Sequence, residues 1–249
     1  MNNYNVFGDL AGNKKTLDAL LAKMPQDAIP LSLGDMNDRG PSSKDVIEFF
    51  RQNGKAVNSN HGHMFVDWYK GNIDPTHEKF YEPGIFLGNG GRTTTPNYFT
   101  EEGSIFENPL LKEHIEYLEN LPMYIETDKY FFSHAPLPMG RTKEQASNIG
   151  TGFYHKYDSE SDYSLLWNRY VPERPHPDLN GKLMVFGHNS SNMVKVFTPK
   201  FPFGKKIMPE ELDEYLPEAY AMCIDTSGGK VLTGLHLPTM KLYQQEYID

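Results

Sequence analysis

Short apolar runs and amphipathic segments alternate along the first 70 residues, and this alternation predicts strands and helices in turn. Residues 4–7 form an apolar-biased run that is typical of a strand. Apolar residues then recur at helical spacing over residues 14–24, which predicts a helix. Residues 29–33 predict a second strand, residues 43–50 a second helix and residues 56–57 a third strand. This order is typical of an α/β domain with parallel strands.

The rest of the chain is less regular. Residues 74–99 are rich in Gly, Pro and Asn and are predicted to form a long loop, as are residues 138–163. Two β-runs flank a short polar segment and predict a hairpin at residues 123–133. Further runs predict a C-terminal half rich in antiparallel strands, at residues 183–186, 193–197, 220–224, 231–235 and 241–247. We therefore expect one α/β domain over residues 1–249, with two facing sheets.

Polar side chains with lone pairs recur where predicted strands end. These residues are Asp9, Asp35, Asn60, His134 and His188. In open α/β sheets, ligands bind at the carboxyl ends of the strands. A two-metal hydrolase site needs oxygen and nitrogen ligands from several strand ends, with one carboxylate shared between the ions. Each residue alone is unremarkable in a loop, but the five in this order predict a dinuclear site.

The segment from Leu31 to Ser43, LSLGDMNDRGPSS, concentrates charge directly after a predicted buried strand. Its G-D-x-x-D-R-G pattern resembles the central motif of the calcineurin-like metallophosphoesterases, in particular the phosphoprotein phosphatase family and its bacteriophage lambda-type members. Further matching pieces follow in family order: GDLAGN at 8–13, NH at 60–61, NGG at 89–91, SHA at 133–135, LLWNR at 165–169, FGH at 186–188 and IDTSG at 224–228. The resemblance implies a four-layer αββα sandwich with two central mixed β-sheets.

The resemblance also implies two divalent metal ions, in the first place Mn²⁺, with Fe, Zn or Ni as alternatives. Asp9 and Asp35 would bind the first ion. Asp35 would bridge to the second ion, which Asn60, His134 and His188 would also bind.

The groups that handle phosphate follow from the same resemblance. Arg39 and Arg169 would hold phosphate oxygens, for which a planar guanidinium is better suited than an ammonium group. His61 would protonate the leaving group, and Asp38 would orient the imidazole and raise its pKa. Arg92, beside the NGG motif, is a further candidate for substrate binding.

The chain departs from the family pattern in its first motif. The family has G-D-x-H-G, whereas residues 8–12 read GDLAG here. Ala11 therefore stands where the family has a first-metal ligand, and we expect a weakened first-metal site and an impaired enzyme. Either an engineered inactivating substitution, which the intact remainder of the site favours, or a natural alanine accounts for this. His63 is expected to be a surface or capping residue of the following helix.

Composition limits the kinds of binding partner and the cellular compartment that we expect for this protein. The net charge of −9 argues against nonspecific binding to nucleic acid or to an anionic membrane. No apolar stretch approaches the roughly 20 residues that span a bilayer, and the N-terminus lacks a signal-peptide pattern. The single cysteine, Cys223, is expected to be a buried, inert thiol and fits a reducing compartment. We expect a cytoplasmic protein, in the host cytoplasm if the chain is of phage origin.

Three functions are compatible with the sequence. The first is hydrolysis of phosphoserine, phosphothreonine, phosphotyrosine or small aryl phosphates. The second is hydrolysis of a dinucleoside tetraphosphate or a cyclic nucleotide, because such enzymes share the G-D-x-x-x-R-G and G-N-H motifs. The third is binding of a phosphorylated ligand without turnover. The sequence does not specify an oligomeric state.

Two further interpretations concern residues outside the main motifs. Aromatic residues of the predicted loops are candidates either for stacking a base or for the core: Tyr81, Phe86, Phe99, Phe153, Tyr154 and Tyr157. Asp225 also follows an apolar run, and we interpret it as a structural carboxylate at a strand end.

Overall fold

The structure is a computed structural model that describes residues 3–77, 83–101, 103–148 and 163–248. The strands are β1 (Tyr4–Phe7), β2 (Ile29–Ser32), β3 (Lys55–Ala56), β4 (Tyr124–Glu126), β5 (Tyr130–Ser133), β6 (Leu183–Phe186), β7 (Val194–Thr198), β8 (Phe201–Ile207), β9 (Ala221–Cys223), β10 (Val231–Leu237) and β11 (Lys241–Glu246). The helices are α1 (Lys14–Leu21), α2 (Ser43–Asn53), α3 (Asn60–Ile73), α4 (Pro83–Phe86), α5 (Arg92–Thr94), α6 (Pro109–Glu119), α7 (Lys143–Ser147) and α8 (Leu212–Tyr215).

The first sheet contains five strands in the order β11-β10-β1-β2-β3. β1, β2 and β3 run parallel, while β10 runs antiparallel to both β1 and β11. The alternating strand and helix unit predicted for the first 70 residues is thus confirmed. It brings the carboxyl ends of β1 and β2 side by side.

The second sheet contains six strands in the order β4-β5-β6-β9-β7-β8. β4 and β5 form the predicted hairpin. β5, β6 and β9 are parallel, whereas β7 is antiparallel to both β9 and β8. The expectation of antiparallel strands in the C-terminal half is therefore wrong for the pairing of β6 with β9 and correct for the β7–β9, β7–β8 and β10–β11 pairs. Long connections return the chain to the same end of the sheet, as parallel pairing requires.

Apolar side chains fill three layers around the sheets. Alternate residues of a strand point to opposite faces, so Val6 and Phe132 pack between the two sheets. Phe7 packs outward against the layer formed by α1, α2, α3 and α6. Phe131 packs on the outer face of the second sheet, in a cluster that includes Ala146 of α7. The two central mixed β-sheets with helices on their outer faces agree with the expected fold.

Two predicted loops contain helical turns. Over the described part of residues 74–99, α4, a π-turn at Leu87–Gly91, α5 and a 3₁₀ turn at Thr95–Tyr98 follow one another. Phe86 and Tyr98 are buried and anchor these turns in the core. Helical turns therefore form here although the Gly- and Pro-rich composition predicts a loop. The other predicted loop contains α7 before the described residues stop at 148. β8 was not predicted, because residues 201–204 (FPFG) are typical of a turn.

Among the described helices, none combines the length and the apolar character needed to cross a membrane.

A polar network lies inside the helical layer. The buried imidazole of His114 lies between Tyr98 Oη, at 2.7 Å, and the Glu48 carboxylate, at 2.8 Å. A carboxylate only accepts, so Nε2 donates to Glu48 and Nδ1 accepts from the Tyr98 hydroxyl. Arg51 donates to the same carboxylate at 2.7 Å. Hydrogen bonding by Arg51 and then by His114 outweighs burial and lowers the pKa of Glu48 to about 2.

We expect Glu48→Gln to lower the free energy of unfolding at pH 7 by about 1 kcal/mol, because it removes charge-assisted hydrogen bonds from a partly exposed carboxylate. The folded pKa lies below the ordinary value of 4.5, so this contribution is present above pH 4.5 and is lost as pH falls through about 2. The difference between parent and variant should therefore shrink from pH 7 to pH 3 in urea unfolding. The exposed Glu107→Gln is the control, and an equal Glu48→Gln effect at both pH values would contradict this.

Candidate active site

The five predicted ligand residues converge from both sheets. Asp9 follows β1, Asp35 follows β2, His134 follows β5 and His188 follows β6, while Asn60 is the first residue of α3. All five are at most 5% exposed. The prediction that Asn60 ends a strand is imprecise. α3 begins at that residue, and the Ser59 hydroxyl caps it by accepting from Gly62 N at 3.2 Å and from Asp35 N at 2.9 Å.

The His134 imidazole has one tautomer available to it when it is neutral. Its Nδ1 lies 2.8 Å from the Leu33 carbonyl, which can only accept, so Nδ1 carries the hydrogen. Nε2 then presents a lone pair to Asn60 Oδ1 at 2.7 Å and to Asp35 Oδ1 at 3.4 Å. Asp35 Oδ1 is buried and has no hydrogen-bond partner among the described residues. Three acceptors that converge on one point fit a bound cation.

His188 is oriented in the same way. Its Nε2 lies 3.3 Å from the Trp167 carbonyl and therefore donates to it, which leaves Nδ1 as the lone-pair nitrogen. The His188 ring centroid is 4.9 Å from that of His134. Burial lowers the pKa of both imidazoles. Both rings are therefore neutral near pH 7, the form that binds metal.

The two carboxylates of the centre differ in their electrostatic surroundings. Burial and then the charges of Asp225 and Asp35 raise the pKa of Asp9 well above its ordinary value. Burial also disfavours ionised Asp35, but the surrounding imidazoles and the Arg39 guanidinium outweigh it and lower the Asp35 pKa. Asp35, Asp9 and His134 each place one ligand atom within 4.8 Å of the others. Their oxygen and nitrogen donors suit Mn²⁺, Fe or Zn.

His61 lies beside the centre with its orientation fixed by Asp38. Nδ1 of His61 is 2.6 Å from Asp38 Oδ2, and Thr94 Oγ1 donates to the other Asp38 oxygen at 2.7 Å. His61 Nε2 faces Arg39 at 3.0 Å and Asp35 Oδ2 at 3.7 Å. Burial lowers the His61 pKa, but the Asp35 charge and the Asp38 hydrogen bond outweigh it, and the net shift is upward. The pair predicted as acid and orienting carboxylate is therefore in contact.

The predicted substrate arginines occupy different positions. Arg39 is exposed, and its guanidinium reaches the edge of the centre through His61. Arg169 is exposed and donates to the His188 carbonyl at 3.4 Å. It lines a cavity of about 560 Å³ together with Tyr170, Asn189 and Phe203. Arg92 is exposed at the start of α5, and its guanidinium makes no hydrogen bond or ion pair within the described ranges. Its role in substrate binding stays a prediction.

The remaining candidates lie apart from the centre. His63 is inside α3 and lines a separate cavity of about 330 Å³ with Asp67 and His77. Phe86 is buried against Phe65, with ring centroids 5.1 Å apart, so it belongs to the core. Phe99 is exposed. Tyr81, Phe153, Tyr154 and Tyr157 lie outside the described residues.

Ala11 has backbone torsions that suit a different residue type. Its φ is 47°, in the left-handed region, where Asn, Asp and His are enriched and Ala is disfavoured. The position is held by hydrogen bonds from Ala11 N to Asp35 O at 2.7 Å and from Gly40 N to Ala11 O at 2.9 Å. Hydrogen bonds to residues 35 and 40 thus fix a left-handed conformation that His adopts more readily than Ala.

Asp225, interpreted from sequence as a structural carboxylate at a strand end, lies beside the predicted ligand Asp9. It is 1% exposed, and its carboxyl lies within hydrogen-bonding distance of the Asp9 carboxyl. It follows β9, which pairs with β6 in the second sheet, and this puts it at the edge where His188 also lies. The motif IDTSG at 224–228 was a signal for it, but only the sheet order shows which ligand it meets.

Comparisons with known proteins identify a family and a fold. The family model described as calcineurin-like phosphoesterase matches residues 4–220. A solved protein assigned as a diadenosine tetraphosphatase has a TM-score of 0.58 and 15% identity, covering 100% of this chain and 95% of that chain. A cold-active protein-tyrosine phosphatase of a psychrophilic Shewanella has a TM-score of 0.58 and 16% identity, covering 99% and 78%. A protein serine/threonine phosphatase from Saccharomyces cerevisiae has a TM-score of 0.55 and 14% identity, covering 99% and 80%. No curated protein sequence matches.

We expect Gly187→Ala to weaken Mn²⁺ binding by at least about tenfold, because a displaced supporting group typically costs a metal site 10- to 100-fold in affinity. An added Cβ would overlap Asp9 Oδ1, so the carboxylate has to move. Isothermal titration with Mn²⁺ measures the effect. Gly88→Ala is the matched control, since a Cβ there meets nothing within 4 Å. Unchanged Mn²⁺ affinity in Gly187→Ala would show that Asp9 is not held where the structure has it.

Proposed function

The chain belongs to the calcineurin-like phosphoesterase family, and we propose that it hydrolyses phosphomonoesters, acting on phosphoserine, phosphothreonine, phosphotyrosine and small aryl phosphates. The observation that carries the proposal is the placement of a carboxylate-oriented imidazole, His61, 3.7 Å from the shared ligand Asp35. A site that only bound phosphate would have no use for an oriented proton donor next to its metal ligands.

The proposed metal ligands are divided between two ions. Asp9 and Asp35 would hold the first ion, and Asp35, Asn60, His134 and His188 the second. When bound, two divalent ions, which we propose to be Mn²⁺, would polarise the phosphoryl group and activate an oxygen nucleophile. Ala11 provides no ligand atom to the first ion, so we propose that this half is the weaker one and that the enzyme is impaired.

The organic groups provide charge and a proton. Asp38 accepts from His61 Nδ1–H, which leaves Nε2 to carry the proton that the leaving oxygen takes. Arg39 lies against that nitrogen at 3.0 Å, so protonation of Nε2 favours rotation of the guanidinium toward phosphate oxygens. Arg169, which lines the neighbouring cavity, would bind another phosphate oxygen. The raised His61 pKa favours the protonated acid near neutral pH.

A nucleotide substrate is the second candidate. The solved protein assigned as a diadenosine tetraphosphatase is covered over 95% of its length, whereas the two phosphatases are covered over 78% and 80%. Tyr170 and Phe203 are 66% and 80% exposed beside Arg169, where a base would find aromatic faces to stack on. A substrate panel of phosphopeptide, dinucleoside tetraphosphate and cyclic nucleotide, each with Mn²⁺, separates the two classes by kcat/KM.

We expect His61→Asn to reduce kcat on a phosphoserine peptide by about 10²- to 10⁴-fold, the usual contribution of a positioned acid. The loss on p-nitrophenyl phosphate should be smaller, because p-nitrophenolate leaves without protonation. Steady-state kinetics with both substrates measure the difference, and His77→Asn on the far cavity is the matched control. Equal losses on both substrates would contradict the role of His61. No hydrolysis of any panel member by the Ala11→His protein would point to a phospho-ligand binder.

We expect Ala11→His to raise first-metal affinity and phosphatase activity by orders of magnitude, because it adds a nitrogen ligand to the half that lacks one. The left-handed torsions of Ala11 accommodate His without rearranging the loop. Activity on p-nitrophenyl phosphate is measured across a Mn²⁺ titration. Equal activity of the two forms at every Mn²⁺ concentration would overturn the proposed impairment.

A further inference from the structure

Asp225 and Asp9 are brought together by close contact between the two sheets. Gly8 precedes Asp9 after β1, and a Cβ at Gly8 would lie 2.5 Å from the Ile224 carbonyl oxygen. Only glycine permits that approach without a shift of the backbone. The two segments therefore meet over consecutive residue pairs. Gly8 packs against Ile224, and Asp9 lies beside Asp225.

The Asp225 carboxyl has one oxygen in use and one without a donor. Oδ1 accepts from Ser227 N at 3.0 Å. Oδ2 is buried and has no hydrogen-bond donor among the described residues. The residue as a whole is 1% exposed, so bulk water does not satisfy this oxygen. A buried carboxylate oxygen without a donor is costly unless a cation or a proton meets it.

The neighbourhood of that oxygen is rich in acceptors. The Asp9 carboxyl is within hydrogen-bonding distance, and its Oδ1 already accepts from His188 N at 3.0 Å. Two carboxyl groups in contact are stable side by side only when they share a proton or flank a cation.

Asp9 belongs to the proposed first-metal half of the centre, where Ala11 provides no nitrogen ligand. We propose that Asp225 is a ligand of the first metal ion in this chain, so that Asp9, Asp35 and Asp225 form an all-carboxylate half-site. The inference rests on the proposed function, since it assigns a residue to that metal centre. It explains how a first ion is bound without the family's imidazole.

The all-carboxylate half-site has a consequence for metal choice. Carboxylate oxygens suit Mg²⁺ and Mn²⁺, whereas imidazole nitrogen favours Zn²⁺ and similar ions. The second half, with Asn60, His134 and His188, is mixed. The two halves of the centre therefore differ in donor type, and the first ion is expected to be the more readily exchanged for Mg²⁺.

The test is a double-mutant cycle between Asp225→Asn and Ala11→His, with Mn²⁺ alone as the probe. Isothermal titration and the Mn²⁺ EPR signal give the number of ions and the affinity of the weaker one. In the parent chain, Asp225→Asn should weaken the first ion by at least about tenfold. In the Ala11→His background, where an imidazole supplies a ligand, the same change should weaken it less than about threefold.

Two further variants separate ligand loss from damage to the fold. Asp225→Glu keeps a carboxylate and should retain two ions per chain. Asp213→Asn removes an equal charge at an exposed position of α8. The thermal midpoint of each metal-free variant reports on folding. An equal Asp225→Asn effect in both backgrounds, or none in the parent, overturns the proposal, because Asp225 would then act only as a structural carboxylate.

The outcome is independent of catalysis. If Mn²⁺ binding follows the cycle but no panel substrate is hydrolysed, the proposed function fails and the ligand assignment stands. If substrates are hydrolysed while Asp225→Asn leaves Mn²⁺ binding unchanged, the ligand assignment fails alone.

Discussion

The hydrogen bond from His134 Nδ1 to the Leu33 carbonyl is the contact on which the centre depends. It joins the residue after β5 in the second sheet to the end of β2 in the first, over 2.8 Å. By holding the hydrogen on Nδ1, it leaves the Nε2 lone pair directed at Asn60 and Asp35. One backbone acceptor thus connects the packing of the sheets to the chemistry of the site, since a shift between the sheets would rotate the ring away from its partners.

The backbone around this contact is held in strained conformations. Five site residues have φ between 45° and 71°: Ala11, Asp35, Asp38, Arg39 and His188. Non-glycine residues adopt this region at an energetic cost, and such torsions persist only where surrounding packing determines them. Here the three apolar layers supply that packing. Four of the five, all except Arg39, are buried, so the strained backbone lies within the site.

Local features of the sequence predicted much of the site, and long-range features explain what was missed. Asp9, Asp35, His134 and His188 each follow an apolar run, so their position at strand ends was readable from pattern. Asp225 has the same local signature, but its contact with Asp9 depends on the pairing of β9 with β6 and on the contact of Ile224 with Gly8. The parallel pairing of β5, β6 and β9 escaped prediction for the same reason. No residue near a strand encodes the direction of a neighbour that is distant in sequence.

The charge balance of the centre indicates that it was not selected for stability. Asp9, Asp35 and Asp225 are all at most 5% exposed, and burial raises the pKa of Asp9 and Asp225 as their charges repel. Apolar residues of similar volume would stabilise the ion-free fold better than this cluster does. A divalent cation reverses the balance, because it binds the folded chain and contributes its binding free energy to folding. The carboxylate excess beside Ala11 is therefore best understood as a cation site whose energy cost is offset only when the ion is present.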